Sequence, residues 1–312
     1  MHKYRENLPQ LAGSLFLTDG GMETTLIFHN GIELPEFASF DLLKNEHGRN
    51  IIKQYFKPYI DIAKQYQVGF ILESVTWRAN KDWAKKLGYD KASVKEVNIK
   101  AIQLLENIQA EYDSSETEMV ISGCIGPGDD GYNPQSFMSV EQAQAYHHDQ
   151  IETFSETSCD MVTALTMTYC EEAIGITLAA KALCMPVVIS FTLETNGCLP
   201  TGESLKAAIE KVDQASQEYP AYYMINCAHP SHFENIFEFN EPWIKRVRGL
   251  RANASCLSHA ELDEAQELDA GNPDELGAQY KVLRNKLANL NVLGGCCGTD
   301  HRHIEAIIKA TY

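Results

Sequence analysis

Short apolar runs alternate with longer amphipathic stretches from one end of the chain to the other. The runs Ser14 to Thr18, Gly69 to Ser74, Met119 to Cys124, Met161 to Thr166, Pro186 to Phe191, Tyr222 to Asn226, Val247 to Ala252 and Val292 to Gly295 read as strands. Between them, Gly48 to Tyr66, Ser93 to Tyr112, Val140 to Thr157, Glu171 to Leu183, Ser204 to Glu218, Pro230 to Phe239, Asp274 to Leu287 and His301 to Lys309 carry apolar residues at three-to-four spacing, the pattern of helices with one buried face. A strand followed by a helix, about eight times over, predicts a parallel sheet covered by helices. A closed (β/α)8 TIM barrel and a doubly wound open sheet both meet that description.

The barrel is favoured by where the unusual residues fall, because barrel enzymes build their sites on the loops after the strands. Asp19-Gly20-Gly21 ends the first strand, Trp77-Arg78-Ala79-Asn80 follows the second, and Gly126-Pro127-Gly128 follows the third. Glu194 to Gly202 follows the fifth, Cys227 ends the sixth, and Cys296-Cys297 ends the eighth. In a closed barrel these converge on one mouth. The acidic segment Glu261 to Glu275 reads as a solvated loop. The expectation is one α/β barrel domain spanning residues 1–312, with no linker.

Composition narrows the partners. A net charge of −17 argues against sequence-independent binding to nucleic acid or to anionic membranes, leaving small molecules. No stretch has the length of uninterrupted apolar residues that a membrane span requires. Nine cysteines, an odd number scattered through a chain with no apolar leader, argue against a disulfide framework and for reduced thiols in the cytoplasm.

The chemistry concentrates in Gly294-Gly295-Cys296-Cys297-Gly298 and in Asn226-Cys227. Two neighbouring cysteines set in glycine, with a third a strand-helix-strand away, form the pattern of a three-thiolate metal site, and zinc is the natural ion. Consecutive strand residues point to opposite faces, so Cys296 and Cys297 reach one ion only if the backbone bends, which the glycines permit. Three protein ligands on a tetrahedral ion leave one position for a substrate. Oxidation would instead pair Cys296 or Cys297 with Cys227 and empty the site.

Other motifs have plainer readings. Cys124, Cys159, Cys170, Cys184, Cys198 and Cys256 lack such company and read as packing. His229 and His232 suit the first turn of a helix leaving the mouth better than ligation, and His147-His148 reads as a solvated helix face. Gly126-x-Gly128-x-x-Gly131 fits a dinucleotide fingerprint in letters only, since Asp129-Asp130 would repel a pyrophosphate and Asn133-Pro134 follows in place of a helix.

With these residues in place the chain resembles the homocysteine S-methyltransferase family, zinc-dependent barrels that move a methyl group from a sulfonium, betaine or folate donor onto a thiol. The resemblance rests on Leu17 to Met22, Ser122 to Pro127, Ser190 to Leu193, Asn226-Cys227 and Gly294 to Gly298, and spans nearly the whole chain. It implies that Cys227, Cys296 and Cys297 hold zinc and that Asn226 sits beside them. Two departures stand out. Members that use homocysteine carry a glutamate eight residues beyond the first-loop aspartate and another at the end of the fourth strand, near the substrate amino group; here these positions hold Ile27 and Leu165. A buried ammonium without a partner costs several kcal/mol. Either Glu23 and Glu73 take over, with Asp19 alongside, or the acceptor is a different thiol.

The implied reaction is methyl transfer from a small onium donor such as S-methylmethionine to a thiol, with homocysteine leading. Trp77 would hold the donor's cation by its ring face, and Arg78 would pair with a carboxylate. The rivals are a relative that acts on another thiol or onium compound, and a non-catalytic zinc-thiolate protein.

Overall fold

The computed structural model describes residues 2–132, 134–237, 241–265 and 267–312, with the backbone alone for Asp263. Eight parallel strands, β1 (Phe16–Leu17), β2 (Gly69–Glu73), β3 (Met119–Ile125), β4 (Met161–Met167), β5 (Val187–Phe191), β6 (Tyr222–Asn226), β7 (Val247–Ala252) and β8 (Val292–Gly295), pair in chain order. The register closes where Phe16 and Leu17 of β1 meet Val292 and Leu293 of β8. The fold is therefore the (β/α)8 barrel, and the open-sheet alternative falls. The helices are α1 (Met22–Thr24), α2 (Glu46–Tyr66), α3 (Lys81–Lys86), α4 (Lys91–Tyr112), α5 (Val140–Ser155), α6 (Cys170–Ala182), α7 (Leu205–Ser216), α8 (His259–Asp263), α9 (Pro273–Lys286) and α10 (His301–Thr311). No helix among the described residues is long and apolar enough to cross a membrane.

Alternation along the strands separates two cores. Phe16, Ile71, Val120, Met161, Val188 and Val292 form a cluster inside the barrel, while their neighbours Leu17, Phe70, Ile121, Val162, Ile189 and Leu293 belong to the larger layer under the helices. The segment before β1 plugs the lower end. Arg5 donates to the carbonyls of Ser155, Thr157 and Cys159, and Asp160 accepts from the backbone N–H groups of Lys3, Tyr4 and Ile121. Leu8 packs into the inner cluster from below.

Three expectations need correction. The described part of the span Pro230 to Phe239 is not an α-helix: it forms 3-10 turns at Pro230–His232 and Glu234–Phe237, and a further such turn follows at Pro242–Arg246. The four-residue spacing that suggested a helix serves ring packing, with Phe233 6.3 Å from Phe237 and Phe237 5.7 Å from Trp243. The end of that span at Phe239 lies outside the described residues, as do Asn133 and, within the acidic loop, Gln266. That loop also holds part of α8 and the start of α9. His147 is not solvated; α5 packs on α6, and His147 Nε2 meets the buried Glu172 carboxylate at 2.9 Å.

Candidate active site

Strand β7 sets the positions of the cysteines on either side of it. The Cys227 N–H, just past β6, donates to the Arg251 carbonyl at 3.1 Å, and the Cys296 N–H, just past β8, donates to the Ala252 carbonyl at 2.8 Å. Cys227 adopts a left-handed backbone, φ 53°, uncommon for a residue with a side chain. The turn after β8 depends on two glycines: Gly298 has φ 80°, and a Cβ on Gly295 would lie 2.0 Å from Thr299 Oγ1. The bend expected from the sequence is thus present, and the sulfurs of Cys227, Cys296 and Cys297 all lie within 4.8 Å of one another. No fourth cysteine, histidine or carboxylate joins the group among the described residues. Cys227 and Cys296 are joined as a disulfide and Cys297 is free, which corrects the expectation of an entirely reduced set at this one pair. Tyr132, from the β3–α5 loop, sets its hydroxyl 3.1 Å from the Cys297 sulfur and 3.5 Å from that of Cys227.

Asn226 is locked beside the sulfurs. Its Oδ1 accepts from the Thr166 N–H and the Ser190 hydroxyl, its Nδ2 donates to the Thr166 hydroxyl, and Nδ2 lies 4.0 Å from the Cys296 sulfur. Thr166 has φ 63°, at an irregularity in the β4–β5 register between Ala164 and Met167. Leu165 in this bulge lines the cavity, whereas Ile27 packs against the core from the turn Thr25–His29.

The cavity wall carries buried charge. Asp19 is 3% exposed; its carboxylate accepts from Arg251 Nη2 at 2.7 Å and from the Tyr55 hydroxyl at 3.0 Å. Arg251 also donates through Nε to the Gly295 carbonyl, while Nη1 has no partner. Burial works against this cation, but Asp19 and Glu73 outweigh it and push its pKa up. Glu73, at the end of β2, has an unpartnered Oε2; burial pushes its carboxyl up to about 7, against the pull of Arg251 and of the Thr163 and Ser122 hydroxyls. Glu23 accepts a 2.7 Å bond from Ser39, and burial raises its carboxyl too.

Trp77 lines both this cavity and an adjoining chamber, and its buried indole N–H has no partner. Arg78 faces the chamber alone: its guanidinium lies 3.7 Å over the Trp83 ring and donates to the Glu36 carbonyl at 2.7 Å. The rings of Phe28, Phe37, Trp77 and Tyr132 and the carboxylates of Glu267 and Asp269 line the chamber, which reaches Cys297.

Tyr132 and Arg251, which the sequence did not single out, line the cavity, as does Cys124, which reads from the sequence as packing. Arg251 alone left a signal, as a cation inside a strand run; Tyr132 stands in an irregular loop, and Cys124 resembles any core cysteine. His229 and His232 stay outside the sulfur group. His229 caps its own turn through Ser231, with burial pushing its pKa down to about 4, and His232 bonds the Cys256 carbonyl.

A closed parallel barrel with three sulfurs gathered at its C-terminal mouth, beside an open cavity, defines a barrel enzyme with a thiolate site. The homocysteine S-methyltransferase family model matches residues 16–311, and the chain belongs to that family. It is an S-methyltransferase. The fold is shared with crystal structures of the Escherichia coli homocysteine methyltransferase MmuM. The oxidized form is 20% identical over 96% of each chain with a TM-score of 0.73, and the metallated form is 19% identical over 95% of each chain with a TM-score of 0.71.

Proposed function

We propose that this chain transfers a methyl group from a small onium donor to the thiol of homocysteine, with Cys227, Cys296 and Cys297 holding a zinc ion at the barrel mouth. The observation that carries the reading is the convergence of three sulfurs within 4.8 Å beside a cavity. Once the Cys227–Cys296 bond is reduced, three soft thiolate donors stand together, a set that suits zinc. A bound zinc ion would supply a cation that keeps an incoming thiol deprotonated near neutral pH.

The protein's own groups would do the positioning. Asn226, fixed by Thr166 and Ser190, braces the cysteine side of the cavity. Tyr132 closes over the sulfurs and, with Trp77 and Phe37, belongs to both compartments, so donor and acceptor would meet at a shared wall. Aromatic rings together with Glu267 and Asp269 suit a cationic donor. Holding the two substrates in line turns a bimolecular collision into a positioned displacement. A cavity that stays open beside three ligands disfavours a purely structural zinc protein.

The test is methionine formation by reduced, zinc-replete protein supplied with homocysteine and S-methylmethionine, and its loss in Cys296→Ser. Transfer from a folate alone would remove the donor part. Leu165 in the cavity wall favours a second reading, transfer to a less polar thiol, which the same assay with simple alkanethiols would reveal.

A further inference from the structure

Two charged side chains at the mouth are buried with one atom each left unmatched. Glu73 is 6% exposed and its Oε2 has no hydrogen-bond partner; Arg251 is 5% exposed and its Nη1 has none. They come from β2 and β7, and both line the cavity that holds the three cysteines. The ion pair that Arg251 makes is with Asp19, through Nη2, so Nη1 remains over after that pairing. Leaving a buried ionic group short of a partner is costly, and native structures retain such groups where a ligand completes them.

We infer that Glu73 and Arg251 form a clamp for the α-amino-acid end of the acceptor, with Glu73 Oε2 accepting from the ammonium and Arg251 Nη1 donating to the carboxylate. One unpartnered carboxylate oxygen and one unpartnered guanidinium nitrogen in a single cavity offer an acceptor to an ammonium and a donor to a carboxylate, the two ends of an α-amino acid. The clamp explains how Ile27 and Leu165 are tolerated: Ile27 is half-buried against the core, Leu165 gives the cavity an apolar wall, and the acidic partner comes from β2. Asp19 and Tyr55 act as positioning residues, since both oxygens of Asp19 are engaged, one holding Arg251 and the other accepting from Tyr55. Acceptor recognition and methyl acceptance are then separate jobs, done by different residues of one cavity.

The inference deepens the reading of the site as one for homocysteine, but it is tested without turnover. Calorimetric binding to the reduced full-length protein would compare methionine with 4-(methylthio)butanoate, which lacks the ammonium, and with 3-(methylthio)propylamine, which lacks the carboxylate. Methionine should bind about tenfold to a hundredfold more tightly than either, the range for one hydrogen bond to a charged group. Glu73→Gln should erase the preference over 4-(methylthio)butanoate and spare the other, and Arg251→Lys should do the reverse. Glu73→Gln, which keeps the side chain's shape, carries the test alone if Arg251→Lys does not fold. Equal binding of all three compounds by the wild type, or uniform weakening in Glu73→Gln, would overturn the clamp. Selective binding without methyl transfer would leave it standing and defeat the transfer reading instead.

Discussion

The two ends of the barrel treat buried charge in opposite ways. At the floor, the carboxylate of Asp160 accepts from three backbone N–H groups, and Arg5 spends its guanidinium on three carbonyls. At the mouth, Glu73 and Arg251 each keep an atom without a partner, and Cys227 and Thr166 hold backbone angles that few side-chain-bearing residues adopt. The floor's two charged groups serve the fold, tying plug to strands. Under the clamp inferred above, those at the mouth would be completed by a ligand. Residues that break stability and residues that break function should therefore separate along the barrel axis.

The strongest test of that separation is Cys296→Ser. Methyl transfer should fall by at least about a hundredfold while the thermal midpoint stays near that of the reduced wild type, as methionine formation and calorimetry would show. Asp160→Ala should do the opposite. It strands three N–H groups, costs about 3 kcal/mol or more in denaturant unfolding, and leaves activity per folded molecule unchanged.

Glu73→Gln probes the mouth by pH. Because burial pushes the native carboxyl up to about 7 from the ordinary glutamate value of 4.5, the native state holds a proton between these values that the unfolded chain releases. That contribution to stability is complete below pH 4.5 and is lost as pH rises through 7, on the order of 3 kcal/mol at most. Relative to wild type, Glu73→Gln should be flat across this window and no less stable at pH 8. In wild type, affinity for methionine should strengthen over the same rise, as the carboxylate forms; a parallel profile in Glu73→Gln would remove that role. The smallest effect belongs to the adjoining chamber, where Phe28→Ala should raise KM for an onium donor about two- to fivefold and leave KM for the thiol unchanged.

The barrel itself was legible because alternation of short apolar runs and amphipathic stretches survives even where strands are two residues long, as β1 is. The sulfur trio was legible because cysteine among glycine is a conspicuous pattern. What escaped the sequence was pairing over distance. Arg251 meets Asp19 across 232 positions, and no local pattern announces such a contact. His147 was misread for the same reason, since its partner Glu172 sits on the next helix. The span after Pro230 shows another limit: Phe233 and Phe237 have helical spacing, yet successive tight turns bury the same rings.

Arg251 answers to two constraints at once. Its carbonyl steadies Cys227, while its side chain faces the cavity. Any amino acid can supply that carbonyl, whereas the bonds to Asp19 and to the Gly295 carbonyl belong to the arginine side chain. One residue of β7 thus ties the placement of a sulfur to the charge of the cavity wall, and a change of its side chain would alter the wall while leaving that backbone tie in place.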